Sequence, residues 1–309
     1  MSTNEQVPVY IKKMEKILSG SVSAMCTSDK IGVVFSAGVD STLISLIVSR
    51  YKPAVLYNVG AANSIDGENA KRFLEHITEN TTENITVNFI DIEISDIKEN
   101  FHDILKSSGT KNPVKFGASI PLYFASQAAA GDGIKIMTSG QGGDELFGGY
   151  EKYMAAIRQE GYTKAADMME SDIEQMYEEN IKREEGICKS NHVKIKYPYL
   201  GAEFTDYSRS IPYELKILRT GSSEFQGIKA LDEIDGVKYI RKFILKKFAL
   251  NYGVPGFIVN RSKKAAQYGS GAHKMLVKIA KDAGFRQKAK NAGRGDFLGM
   301  FLEEEFENI

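Results

Sequence analysis

Four short apolar runs punctuate the first half of the chain. "IGVVF" (Ile31–Phe35), "PAVLYNVG" (Pro53–Gly60), "ITVNFIDI" (Ile85–Ile92) and "IKIMTSG" (Ile134–Gly140) are rich in β-branched residues. Continuous apolar runs of this length mark strands buried on both faces. Between them the apolar positions recur at helical spacing, in "STLISLIVSRY", "DGENAKRFLEHITEN" and "GASIPLYFASQAAAG". Strand and helix therefore alternate from Ile31 to Tyr150, which predicts a parallel sheet with helices on both faces. After Tyr150 the strand signals fade. "YEKYMAAIRQEGYTKAADMMESDIEQMYEENIKREEG" reads as helices with an acidic face, and "VKYIRKFILKKFALNYGVPG" as a basic amphipathic helix ended by Gly253 and Pro255. The expected organisation is an N-terminal helical segment (1–30), an α/β core (31–150) and a mostly helical region (151–309) docked on the sheet edge.

Composition narrows the options. The 309 residues are 42% hydrophobic and carry no net charge, so no global field draws the chain to nucleic acid or membrane. Cys26 and Cys188 lie far apart without a CxxC spacing, which argues against a disulfide framework, a zinc ribbon or an iron–sulfur site. The N-terminus is polar and amphipathic, and no run approaches ~18 consecutive apolar residues. These features predict a soluble, cytoplasmic protein. They leave a homo-oligomer open.

Two glycine turns carry the candidate chemistry. "FSAGVDSTLI" follows the first strand and opens a helix, a context that offers backbone N–H groups and a positive helix end to an anion. It has no lysine and no GxxxxGK[ST], so it is not a Walker A loop. "SGQGGDELFGGY" follows the fourth strand and sets Asp144 and Glu145 among glycines. Open α/β sheets bind ligands beyond the carboxyl ends of their strands, where both turns fall.

The first turn resembles the S-G-G-x-D-S loop of the ATP pyrophosphatase (PP-loop) family. Ala37 stands where that pattern has its first glycine, and alanine there implies an ordinary backbone conformation. The second turn is similar to S-G-[EQ]-G-[ASG]-D-E-L-F-G-G-Y, the signature of the synthetase domain of glutamine-dependent asparagine synthetases and of β-lactam and carbapenam synthetases. "KYPYLGAEFTDYSRSIPYELK" resembles that family's R-x-P-F-L-D segment. "KYIRKFILKKFALNYGVPGFIVNRSKKAAQYGSG" resembles its K-x-x-L-R … L-P … R-x-K … G-x-G segment. The resemblance runs in order from Ile31 to Gly271. It implies an open, mostly parallel five-stranded sheet, adenine nucleotide α-hydrolase-like, with a mostly helical C-terminal region.

The resemblance also implies roles. ATP and Mg²⁺ would be the cofactors. Ser36, Gly38, Val39, Asp40 and Ser41 would hold pyrophosphate. Ser139 and Gly140 would let ATP approach the backbone, and Val34 and Val59 would line the adenine pocket. Asp40 and Asp144 would be the metal ligands, one from each turn. The missing loop lysine requires a cation from elsewhere, with Arg261, Lys263 and Lys264 as candidates. Lys263 matches the family's R-x-K lysine, which contacts phosphate in the transition state. Tyr150 matches a tyrosine of the active-site cleft. Glu145 is either a supporting group on the substrate side or simply a carboxylate in a helix's first turn. Lys246, Lys247, Lys274 and Lys278 read as a solvated basic face.

Four departures bear on the substrate. The expected glutaminase domain does not precede the first strand, so nitrogen would come from ammonia, a separate glutaminase subunit or an amine. Gln141 replaces a frequent acid. Lys194 and Lys196 replace Glu and Arg of the family's "VEVR", and Gly201 replaces an Asp. The leading expectation is an AMP-forming amide synthetase acting on a small-molecule carboxylate, aspartate by default. Adenylation of a nucleobase or tRNA is the alternative, weakened by the neutral charge and missing CxxC. A nucleotide-binding partner subunit without catalysis is the third.

Overall fold

The structure is a computed structural model that describes residues 3–79, 84–262 and 264–309. Five parallel strands form the central sheet: β1 (Ile31–Val34), β2 (Ala54–Gly60), β3 (Ile85–Asp91), β4 (Ile136–Thr138) and β5 (Lys194–Lys196). Their order is β3-β2-β1-β4-β5, with all four neighbouring pairs parallel. The chain builds outward from β1 through β2 to β3, then returns to place β4 on the other side of β1. The sheet's topological switch therefore lies between β1 and β4, where such folds open a ligand crevice.

Side-chain alternation sends neighbouring residues of β2 to opposite cores. Leu56 packs with Ile31, Val33 and the helices Thr3–Met25, Val39–Ser49 and Phe243–Tyr252. Tyr57 packs with Met137, Ile195 and the helices Pro113–Gly131 and Ala272–Asp282. Both faces are thus covered, which is why β1 and β2 read as continuous apolar runs. Cys26 and Cys188 are both buried free thiols.

The region beyond Tyr150 contains more strand than its sequence pattern suggests. The fifth strand of the main sheet comes from it. So does an antiparallel sheet of β6 (Ile217–Thr220), β9 (Asp232–Ile234) and β10 (Val237–Arg241), alongside a hairpin of β7 (Glu224–Phe225) and β8 (Ile228–Lys229). The expected basic helix is correspondingly shorter, Phe243–Tyr252, because Val237–Arg241 pairs with both β6 and β9. Two-residue turns with positive φ, Gln226–Gly227 and Asp235–Gly236, close the β7–β8 and β9–β10 hairpins. Among the described residues no helix is long and apolar enough to cross a membrane.

Candidate active site

A cavity of about 540 Å³ opens at the switch point. Ser36, Gly38, Val39, Asp40 and Ser41 line it from the turn after β1, and Val34 and Val59 from the strands themselves. Ser139, Gly140, Gln141, Asp144 and Tyr150 line it from the turn after β4. The two turns that the sequence separates by about a hundred residues thus form one site.

The first turn leads into the helix Val39–Ser49, whose N-cap is Gly38, with no side chain capping it. Glycine supplies no capping acceptor to the first-turn N–H groups, and Asp40 lies within the first turn rather than at the cap. Ala37 has φ 51, in the left-handed region. This corrects the ordinary conformation expected for an alanine there. Arg261 holds the strained turn in place: its Nη1 donates to the carbonyls of Ser36 (2.9 Å) and Ala37 (3.1 Å), and its Nη2 pairs with buried Asp66. Its donors thus serve the loop backbone. Burial pushes the Asp66 carboxyl up, partly offset by Arg261.

The second turn's glycines let carboxylates approach. A Cβ on Gly140 would lie 2.8 Å from Asp40 Cβ and 2.9 Å from Ser41 N, and one on Gly143 would lie 2.6 Å from Asp40 Oδ1. A Cβ on Gly149 would overlap the Asp144 carboxylate and the Lys242 stem. The glycines therefore make room for Asp40, Asp144 and a lysine rather than only for a ligand.

That lysine is Lys242. Its Nζ lies 2.6 Å from Asp40 Oδ2 and 2.8 Å from Asp144 Oδ1, joining the acid of each turn. Its side chain is only 5% exposed. Although burial disfavours its charge, the two carboxylates hold its pKa well above the ordinary lysine value. It sits at the joint between β10 and the following helix with φ 55. Beside it, Arg241 makes a two-pronged pair with Asp232 (2.8 and 2.6 Å) and donates to the Gly149 carbonyl (2.8 Å). The antiparallel sheet is thereby tied to the second glycine turn. Lys242 stands in "IRKFILKK", where nothing local separates it from its neighbours; only the chain reversal at β10 aims it inward.

Tyr150 donates to Glu145 Oε1 at 2.6 Å. Glu145 is buried, and burial followed by the charge of Asp144 pushes its carboxyl up. Burial and the same acids raise the Tyr150 phenol far above its ordinary value, so it stays protonated. Glu145 thus supports Tyr150 and is not on the cavity wall. Lys194 and Lys196 occupy β5, in register with Ile136 and Thr138, and neither lines the cavity. Lys246, expected on a solvated face, lines it instead, and burial lowers its pKa to about 8. Lys264 also lines it. Lys263 lies outside the described residues.

An α/β sheet with a glycine turn after β1, switching direction between β1 and β4, defines a PP-loop fold of the adenine nucleotide α-hydrolase type. The asparagine synthase family model matches residues 13–164 and 157–298. The chain is 34% identical over 285 residues, 88% of its length, to "putative asparagine synthetase (glutamine-hydrolyzing) 1" of Methanocaldococcus jannaschii, covering 51% of that protein. It is 27% identical over 206 residues to the chicken asparagine synthetase, 63% of this chain and 35% of that one. It is 24% identical over 232 residues to asparagine synthetase B of Escherichia coli, 69% of this chain and 40% of that one. The chain belongs to the asparagine synthase family. It spans about half, or less, of the length of these relatives.

Proposed function

We propose that this chain is an ATP-dependent, AMP-forming amide synthetase. The observation that carries the reading is the convergence of Asp40 and Asp144, one from each glycine turn, on buried Lys242 in a single cavity. A substrate carboxylate oxygen attacks the α phosphorus of ATP, the bond to the bridging oxygen breaks, and pyrophosphate leaves. Ammonia or an amine then attacks the acyl carbon, loses a proton, and AMP departs.

The chain's own groups meet the electrostatic needs of the first step. Pyrophosphate seats at the uncapped start of the helix Val39–Ser49, among the hydroxyls of Ser36 and Ser41. Lys246 brings positive charge to the same cavity, where leaving-group charge builds, and Lys242 offsets part of the charge of the two acids. Val34 and Val59 give the adenine ring an apolar floor. Lys263 remains the proposed phosphate-contacting lysine of the R-x-K segment, and Tyr150, whose single O–H goes to Glu145, presents its phenol oxygen as an acceptor.

Asp40 and Asp144 fit Mg²⁺. Each has a second carboxylate oxygen besides the one facing Lys242, and the trio carries a net negative charge. Among the described residues no third metal-ligating side chain joins them, which suits a cation that completes its shell with phosphate oxygens and water. When bound, Mg²⁺ would neutralise charge on the departing pyrophosphate. Aspartate is the default acceptor, since the relatives are named asparagine synthetases. Gln141, on the cavity wall, is the residue of this turn proposed for the acceptor side.

The test is ATP–pyrophosphate exchange across a panel of carboxylic acids, followed by amide formation with ammonia. Exchange dependent on one acid, and abolished in Asp144→Asn, supports the reading. Production of only ADP and phosphate with every acid would sink it.

A further inference from the structure

The turn after β1 is held from outside by a tie that spans most of the chain. Arg261 lies 225 residues from Ser36 and 195 from Asp66, in the segment that follows the short helix Gly256–Val259. Its Nη1 donates to two consecutive carbonyls, those of Ser36 and Ala37. Its Nη2 donates to Asp66, in the first turn of the helix Ile65–Glu79 that follows β2. One guanidinium thus joins the ends of β1 and β2 to the C-terminal segment.

The seat of Asp66 is built around this contact. The residue is 4% exposed, and a Cβ on Gly269 would overlap its carboxylate, so glycine is what lets the short helix Ala266–Gly269 pack there. Next to it, the Ser270 carbonyl accepts from the Ala61 N–H at 2.8 Å, which docks the same segment on the end of β2. With its flanking chain fixed in this way, Arg261 reaches across to the turn.

The direction of the two carbonyls fixes that of two donors. Among the described residues every peptide bond is trans, and in a planar trans peptide the C=O and N–H point opposite ways. With both carbonyls on Arg261, the N–H groups of Ala37 and Gly38 point away from it. Neither has a hydrogen-bond acceptor among the described residues. Successive N–H groups turned to one side form a concavity that binds anions. The arrangement requires Ala37 at φ 51, a conformation that its Cβ disfavours about 5- to 30-fold.

We propose that Asp66 is a positioning residue for the pyrophosphate turn: through Arg261 it holds Ala37 in the left-handed conformation that presents the Ala37 and Gly38 N–H groups to the leaving group. The inference rests on the pyrophosphate seat assigned above. Asp66 touches no reacting atom. Without its carboxylate, Arg261, only 12% exposed, is a buried charge that has lost its counter-ion, and it is drawn off the carbonyls toward solvent.

Calorimetry measures binding of inorganic pyrophosphate with Mg²⁺ to the full chain as the parent, Asp66→Asn, Ala37→Gly and the double variant, with urea unfolding confirming that each is folded. Asp66→Asn should weaken pyrophosphate about 5- to 30-fold, the penalty on left-handed Ala37 once the tie is cut. Asp66 lines the cavity, and removing its negative charge would by itself favour an anion, so weakening reports the turn. Ala37→Gly should restore most of the loss in the Asp66→Asn background, because glycine adopts positive φ without penalty, and should change the parent much less. In ATP–pyrophosphate exchange the same pattern should appear in the KM for pyrophosphate, with the KM for the acid unmoved. Tighter or unchanged binding in Asp66→Asn, or a loss that Ala37→Gly does not restore, would overturn the assignment. Should Asp66→Asn not fold, Asp66→Asn with Arg261→Gln, which buries no unpaired charge, carries the same comparison. If the parent binds no pyrophosphate, the phosphate seat fails on its own and hydrogen exchange decides the tie: faster exchange confined to residues 36–42 in Asp66→Asn supports it, and unchanged exchange overturns it.

Discussion

Lys242→Met is the sharpest probe of how the two glycine turns are held together. In the folded protein both acids lie within 2.8 Å of one nitrogen, so their facing oxygens are at most about 5.4 Å apart. Removing the ammonium leaves two carboxylates repelling each other across that gap. At an effective dielectric constant of about 20 the repulsion is about 3 kcal/mol. Loss of one partner from a buried ion pair typically costs about 3–5 kcal/mol, and that is the expected fall in unfolding free energy at neutral pH without divalent cations. Methionine retains most of the stem's packing, so the loss reports charge. The sign of the pH dependence follows: in the variant one acid's folded pKa rises, the folded state binds an extra proton, and the deficit shrinks as pH falls. Urea unfolding with EDTA, and again with millimolar Mg²⁺, makes the measurement. Mg²⁺ should restore part of the loss in Lys242→Met and none in a Lys242→Met, Asp40→Asn, Asp144→Asn triple variant. A loss below about 1 kcal/mol in EDTA, within the range of a surface ion pair, would refute the electrostatic reasoning.

Three further outcomes are expected. Ala37→Gly should stabilise the protein by about 0.5–1 kcal/mol in urea unfolding, because relief of left-handed strain exceeds the entropic cost of glycine. Gly149→Ala should destabilise by about 1–3 kcal/mol and weaken ATP binding by calorimetry, since its methyl group would overlap Asp144 and Lys242. Glu184 has a folded pKa raised from 4.5 to about 7, so its contribution to stability is lost as pH rises through that window; compared by urea unfolding, Glu184→Gln should gain about 3 kcal/mol on the parent between pH 4 and pH 8.

Much of the fold was legible locally. The apolar runs of β1 to β4 announce strands buried on both faces, and the four predicted runs each contain an observed strand. β5 was not, because "VKIK" alternates over only four residues and becomes a strand by pairing with β4. The stretch Val237–Tyr252 carries apolar residues compatible with a long helix. The Asp235–Gly236 turn folds its first five residues back between β9 and β6, and the ladders formed there outweigh helical continuity. A D-G pair flanked by apolar residues was the available signal for that reversal.

The glycine turns were recognisable because their chemistry is local: each puts a carboxylate, hydroxyls and free backbone donors within a dozen residues at the end of a strand. By itself the sequence determined the α/β alternation, the two turns and the pairing of Asp40 with Asp144 as a hypothesis. Tertiary structure decided which cation meets them. Arg261, Lys242, Lys246 and Arg183 are equivalent as letters, each one basic residue among many. Burial and direction separate them, aiming Arg261 at loop carbonyls, Lys242 between two acids and Arg183 into the cavity. Those depend on contacts across roughly a hundred residues or more of chain for Lys242 and Arg261, and on the preceding π-helical turn Tyr177–Ile181 for Arg183, which no local pattern encodes.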